Sequence, residues 1–279
     1  MELIDGKLVA KLTRQQIKEE VDKLIAEGGE IGLAVVLVGE NPASMVYVNN
    51  KIKACKEVGI NSYLHKLDSN VTAKELTKLL AQLNADNKVN GIIVQLPLPK
   101  GLDEREILNS IDPSKDVDGC HYVQKGKLWT GNPELIACTP FGVIKMLEHY
   151  DIPIRGQHAV IVGRSNLVGK PLAELLLDKD ATVTICHSKT RNMKEITLNA
   201  DILCVAVGKP KFITKDMVKE GAVVIDIGIN RVDSKLIGDT DYENIADKCS
   251  YITPVPGGVG PMTVTMLLAN TVTAYKLKK

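Results

Sequence analysis

Aromatic residues are scarce in this chain of 279: one Trp, two Phe and seven Tyr. Single-stranded nucleic acids are held by stacking bases on aromatic platforms, and that mode has little to build on here. Neither sign of charge dominates. Against 34 Asp and Glu stand 35 Lys and Arg, a net charge of +1, so no nucleic-acid, membrane-surface or polyanion footprint is expected. Cys55, Cys120, Cys138, Cys186, Cys204 and Cys249 form no C-x-x-C pair, and the five histidines show no H-x-x-x-H spacing. A zinc site is not expected, and scattered reduced thiols suit a reducing compartment. The opening MELIDGKLVAKLT has early acids and no long apolar run. Neither signal peptide nor membrane anchor is expected there, and the cytoplasm is the default address.

What the chain does have is 44% hydrophobic residues, enough for a sizeable core, and length for one large or two ordinary domains. Strand-like apolar runs alternate with helical patterns throughout, which predicts an α/β fold with mostly parallel strands. Thr13 to Glu27 reads as a helix opened by a Thr13/Gln16 capping box, striped by Ile17, Val21, Leu24 and Ile25, and stopped by Gly28-Gly29. A strand over 31–38 follows, then a helix over 44–58 ended by Gly59, and a strand over 60–67. Thr72 and Glu75 cap the next helix, and 91–96 is a short apolar strand. Periodicity fades between Pro113 and Pro140, where the domain boundary is placed. Beyond it come helices over 140–149 and 170–177 and strands over 158–162, 181–186, 201–207 and 222–227. These fit a doubly wound nucleotide-binding domain. A last helix over 263–277 is expected to return to the first half. The expected division is 1–120 plus 262–279 for one domain and 121–261 for the other.

In HAVIVGRSNLVGKPLAELLL an apolar strand ends at Gly163 and a helix begins near Gly169, with Pro171 in its first turn. Free amides at that helix start are expected to face a phosphate. Five residues separate the glycines, and Pro171 stands where a P-loop needs Ser or Thr, so Walker-type binding does not fit. The full G-x-G-x-x-G is missing too, and a plain strand–turn–helix is an equal alternative on this segment alone. An NAD-preferring site carries an acid about 20 residues on, at the end of the next strand. Here Cys186-His187-Ser188-Lys189-Thr190-Arg191 has none. With Arg164 it offers cations and hydroxyls suited to a 2′-phosphate. NADP is therefore expected over NAD, the plainer alternative being a solvated basic loop.

In the first half Tyr47 and Lys51 are four apart on a predicted helix, beside an apolar stripe of Val48, Ile52 and Cys55. A lysine at such an edge is partly desolvated, which lowers its pKa and suits it to proton transfer. An ordinary surface pair has the same spacing. Gln95 interrupts an apolar strand at its carboxyl end, where ligands bind in parallel sheets; a satisfied core glutamine is the rival reading. Asp116-Val117-Asp118-Gly119 could grip the N–H groups of a heterocycle or be a loop turn, and nothing nearby completes an oxygen cage for a metal. Pro254-Val255-Pro256-Gly257-Gly258-Val259-Gly260-Pro261 is too constrained for a casual linker, though a structural hinge fits it as well.

Together these segments resemble the bifunctional methylenetetrahydrofolate dehydrogenase/methenyltetrahydrofolate cyclohydrolase family. YVNNKIKACKEVGI, GIIVQLPLP, DVDG, CTPFGV, GRSNLVGKP, CHSKT, DIGIN and PVPGGVGPMTVTMLL occur in the family's order from residue 47 to 268. The resemblance implies two α/β domains flanking a cleft, the second a Rossmann-like doubly wound parallel sheet, usually in a homodimer. It implies oxidation of 5,10-methylenetetrahydrofolate with NADP, then hydrolysis of the methenyl product to 10-formyltetrahydrofolate. On this likeness Lys51 is the catalytic lysine, Tyr47 positions the folate, Gln95 hydrogen-bonds Lys51, and Asp118 grips the pterin ring. Val94 and Leu96 join the substrate site, and Pro256, Gly257, Gly258, Val259 and Gly260 form a wall of the pocket. Gly163, Arg164, Ser165, Ser188 and Ile229 hold NADP, with Arg164 and Ser188 nearest the 2′-phosphate. Two stretches depart from the commonest pattern. Cys120-His121-Tyr122 stands where an aromatic or aliphatic residue and a His-Pro pair are frequent, and Leu135-Ile136-Ala137 lacks the usual Pro before Cys138. The alternatives are a dehydrogenase without cyclohydrolase activity, disfavoured by intact Tyr47, Lys51 and Gln95, and a non-catalytic NADP sensor, disfavoured by retained Lys51 and Asp118. A shikimate-type enzyme lacks the PGGVGPMT and DVDG segments.

Overall fold

The computed structural model describes residues 1–278. The chain begins with β1 (Glu2–Leu3), α1 (Gly6–Ala26), β2 (Gly32–Val38), α2 (Pro42–Val58), β3 (Asn61–Leu67), α3 (Ala73–Ala85) and β4 (Gly91–Val94). Three helices follow, α4 (Glu104–Asn109), α5 (Tyr122–Trp129) and α6 (Cys138–His149). Then come β5 (His158–Val162), α7 (Gly169–Leu177), β6 (Thr182–Cys186), α8 (Met193–Thr197), β7 (Ile202–Val205) and β8 (Val223–Asp226). The rest is β9 (Asn230–Val232), β10 (Lys235–Ile237), α9 (Tyr242–Ile245), β11 (Tyr251–Ile252) and α10 (Val259–Leu277).

Contacts divide the chain into two compact units, residues 12–138 with 264–279 and residues 1–11 with 139–263. The first holds a three-stranded parallel sheet in the order β3-β2-β4. All seven residues of β2 are buried, as a continuous apolar run requires. Burying each of its Leu and Val side chains contributes about 1.5–3 kcal/mol. Leu76, Leu80 and Leu83 of α3 pack with Ala34, Val36 and Val38 of β2 in one core. The capping box read at Thr72 is present: Thr72 Oγ1 accepts the Glu75 N–H at 3.2 Å, and Glu75 Oε2 accepts the Thr72 N–H at 2.9 Å.

In the second unit six parallel strands run in the order β1-β11-β8-β7-β5-β6. Val160 and Val162 of β5, Leu203 and Val205 of β7, and Val224 of β8 form the centre of its core. The four expected strands are there. The two-residue strands β1 and β11 widen the sheet, being too short to show a pattern. A small antiparallel pair, β9 with β10, closes over Asp233-Ser234, both at positive φ.

Several expected boundaries are corrected. Helix α1 starts at Gly6, because the Asp5 carboxylate accepts the N–H groups of Lys7 (2.9 Å) and Leu8 (3.1 Å). Thr13 thus lies inside the helix rather than at its start. The aperiodic stretch contains α5, whose first turn is held by His121 Nδ1 accepting the Val123 N–H at 3.0 Å. Residues 121–138 fall with the first half, although 121–261 was expected as one domain. Gln124 Nε2 donates to Pro113 O (2.7 Å), its Oε1 accepts the Leu135 N–H (3.3 Å), and Asn270 donates to Ile136 O (2.7 Å). The first residues belong with the nucleotide-type sheet, since β1 pairs with β11 and the Asp5 N–H donates to Tyr150 Oη at 2.8 Å.

Candidate active site

Helix α2 carries Tyr47 and Lys51 one turn apart, and Gln95 follows directly on β4, beside α2's neighbour β2. Lys51 is buried, with its Nζ donating to Gln95 Oε1 at 2.8 Å. The amide is oriented from its other end: Gln95 Nε2 donates to Leu96 O at 2.7 Å, and its backbone N–H donates to Val36 O at 2.8 Å. Burial pushes the Lys51 pKa down, opposed most strongly by the Asp118 carboxylate, which favours the charged amine. Tyr47 is 46% exposed, leaving its ring open to a ligand. Val94 lies in the hydrophobic core of this unit and Leu96 packs against it.

The DVDG stretch is fixed from several sides. The Lys115 side chain is buried and its Nζ donates to Leu83 O and Asp86 O, both at 2.8 Å, tying the segment to the end of α3. Asp116 bridges Ile92 of β4, and its Oδ2 accepts the His121 N–H at 2.7 Å. Burial raises the Asp116 pKa to about 7, and the neighbouring Asp118 charge adds to the rise. Asp118 itself is half-buried. Cys120 Sγ lies 3.6 Å from its Oδ2, and the Cys138 thiol donates to the neighbouring Val117 O at 3.3 Å. Sequence reasoning missed Cys120, Cys138 and Asn270 as parts of this cluster. Asn270 Nδ2 donates to Val117 O (2.8 Å) and Ile136 O (2.7 Å). Its signal was available: like Gln95, it is an amide interrupting an apolar run, here MLLANTV.

In the other unit, Gly163 and Gly169 bring the end of β5 against the start of α7. A Cβ on Gly163 would collide with Ala206 O, and one on Gly169 with Gly163 O. Ser165 Oγ accepts the N–H groups of Val168 (3.1 Å) and Gly169 (3.3 Å), and Ser165 O accepts that of Lys170 (3.1 Å). The amides expected to be free at this helix start are therefore engaged by the turn. That correction leaves Arg164, which is exposed, as the loop's charged group. Ser188 is exposed in the loop after β6, a loop shaped by the His187 N–H donating to Thr190 Oγ1 at 2.8 Å. Ile229, 45% exposed, follows β8. Gly163, Arg164, Ser165, Ser188 and Ile229 all lie beyond the carboxyl ends of parallel strands β5, β6 and β8, the edge at which open α/β sheets bind ligands. Pro256 to Gly260 belong to this unit as well, where the Lys7 N–H donates to Gly257 O at 3.1 Å.

Two buried carboxylates organise this edge, and sequence reasoning passed over both. Asp226 accepts N–H groups from Gly228 (3.1 Å), Asp239 (2.9 Å) and Thr240 (2.8 Å), and the Thr240 hydroxyl at 2.7 Å. Asp239 accepts those of Val207 (2.6 Å), Gly208 (2.9 Å) and Lys209 (2.8 Å). Together they hold the turns after β7 and β8.

Two family models cover the chain. Residues 4–118 match the tetrahydrofolate dehydrogenase/cyclohydrolase catalytic domain, and residues 137–279 match the NAD(P)-binding domain of the same family. The chain belongs to the tetrahydrofolate dehydrogenase/cyclohydrolase family. It is 54% identical over 279 residues to the bifunctional protein FolD of Campylobacter concisus, covering 100% of this chain and 99% of that one. The crystal structure of the bifunctional FolD methylenetetrahydrofolate dehydrogenase/cyclohydrolase from Campylobacter jejuni superposes with a TM-score of 0.98 at 49% identity, covering 100% of both chains. The Trypanosoma brucei methylenetetrahydrofolate dehydrogenase-cyclohydrolase, complexed with NADP and an inhibitor, superposes with a TM-score of 0.95 at 37% identity, covering 99% of this chain and 97% of that one. Among the described residues, no helix is long and apolar enough to cross a membrane.

Proposed function

We propose that this chain oxidises 5,10-methylenetetrahydrofolate with NADP and hydrolyses the methenyl product to 10-formyltetrahydrofolate, with Lys51 serving chiefly the second step. The carrying observation is the buried Lys51 amine, 2.8 Å from Gln95 Oε1. In the first step the folate's nitrogen lone pairs push a hydride out of the methylene carbon, so the protein must align rather than protonate. Tyr47 and Asp118 are the residues to do this, the ring by packing beside the folate and the carboxylate by accepting the pterin's N–H groups. NADP, when bound, supplies the hydride acceptor. Arg164 and Ser188 suit its 2′-phosphate, and residues 186–191 carry no acid to repel it.

In the second step water adds to the methenyl carbon, and the adduct opens by breaking its bond to one ring nitrogen. One proton is released overall. A lysine with a lowered pKa has more neutral amine to take that proton, and Gln95 keeps the amine aimed. Val94 and Leu96 in the one unit, and Pro256 to Gly260 in the other, are assigned to substrate binding on family likeness. Residence in the cytoplasm and assembly as a homodimer belong to the same proposal, on family likeness.

Replacing Lys51 by Met separates the two steps. General acid–base catalysis is worth about 100- to 10,000-fold. Lys51→Met is expected to lose cyclohydrolase activity on that scale while keeping more of the hydride transfer, read by absorbance of methenyltetrahydrofolate and of NADPH. A Lys51→Met protein with full cyclohydrolase activity would sink this assignment.

A further inference from the structure

We infer that Cys120 is a positioning residue for the folate, a buried thiol that donates a hydrogen bond to the Asp118 carboxylate and aims it at the pterin. This deepens the proposed function and rests on its reading of Asp118 as the pterin's anchor.

Three observations meet around this carboxylate. Cys120 Sγ stands 3.6 Å from Asp118 Oδ2 and 3.7 Å from the backbone oxygen of the same residue, and the charged oxygen is the stronger acceptor. Cys138, fully buried on the first turn of α6, donates to Val117 O at 3.3 Å, the carbonyl that precedes Asp118. The two segments are pinned together through Asn270, which donates to Val117 O (2.8 Å) and Ile136 O (2.7 Å). Gly119 lets them close up: a Cβ there would overlap the backbone of Ala137. The loop that carries Asp118 and Cys120 is thus held because the fold brings the segment at Cys138 against it.

The choice of thiol has a chemical consequence. Burial, with the Asp118 charge adding to it, pushes the Cys120 thiol well above its ordinary pKa, so it stays protonated and serves as a donor. A Lys or Arg at the same place would neutralise the carboxylate and compete with the N–H groups of the pterin. A neutral, weak S–H donor fixes the rotamer and leaves the negative charge for the ligand. The cluster restrains Asp118 without occupying it.

The test uses the intact enzyme and separates folate from nucleotide. Cys120→Ala is expected to raise the KM for methylenetetrahydrofolate about fivefold, from loss of one weak thiol hydrogen bond. The KM for NADP and kcat are expected to change less than about twofold, and Cys120→Ser to recover most of the loss because a hydroxyl also donates. A folate KM unmoved in Cys120→Ala, or equally raised in Ala and Ser, would overturn the inference. Infrared S–H stretching gives a second reading that needs neither variant. Asp118→Asn, which removes the charged acceptor, is expected to move at least one S–H band towards the free-thiol position, and unchanged bands contradict the hydrogen bond. The wild-type enzyme in the same assay tests the underlying reading: no folate turnover fails the proposed function, whereas turnover with an insensitive folate KM fails only the thiol assignment.

Discussion

Lys51 and Asp116 meet burial from opposite sides of neutrality. Desolvation penalises the charged form of each, lowering the lysine's pKa and raising the aspartate's to about 7. For Lys51 the result is a usable amine. Asp116 instead binds a proton in the folded state at pH values where the unfolded chain has already released it. Its folded pKa is raised, so the stability it contributes is present below about pH 4 and is lost as pH rises towards 7. Asp116→Asn cannot titrate. Between pH 5 and pH 8 the wild type is expected to lose about 2–3 kcal/mol relative to Asp116→Asn, read by urea unfolding at each pH. A pH-independent difference between the two proteins would show that Asp116 is ionised throughout. The sequence shows an acid at the head of DVDG but not its burial. That comes from a bridge to β4, which leaves one buried oxygen, Asp116 Oδ1, without a hydrogen-bond partner. Lys51 and Gln95 were more legible, one by helical spacing beside an apolar stripe and the other as an amide at a strand's end.

Helix starts show how far local chemistry can be read. Thr72 and Glu75 satisfy each other's backbone donors, and that pair could be read directly because both partners are near in sequence. Thr72→Ala is expected to cost about 1 kcal/mol of stability, measured by urea unfolding, with no change in folate KM. At α1 the same reasoning chose Thr13 when Asp5 was the cap, because Gly6, a poor helix former, stands at the true start and Thr13 with Gln16 imitates a capping box further in. The six residues of α4 and eight of α5 are too short to display a period of 3.6. The carboxylates Asp226 and Asp239 escaped for a different reason. Their hydrogen bonds reach across turns and between strands, so neither acid resembles a cap or a catalytic pair in its own neighbourhood.

At the scale of the molecule, the α/β rhythm and the parallel strands were legible because buried strands need continuous apolar runs. The width of the larger sheet was not, since β1 and β11 contribute two residues each and pair across almost the whole chain. The units are also interleaved. The first eleven residues belong with 139–263, and residues from 264 on belong with 12–138, so each depends on segments far apart in sequence. Asn270 illustrates the effect, donating from near the end of the chain to the carbonyls that frame Asp118 and Cys138. The most direct test is to mix the purified protein with methylenetetrahydrofolate and either NADP or NAD, following nicotinamide reduction and formyltetrahydrofolate together. Reduction of NADP in preference to NAD, followed by formyl product, is the result expected. Reduction without the formyl product would contradict the two-step assignment, and no reduction of either nucleotide would contradict the proposed oxidation.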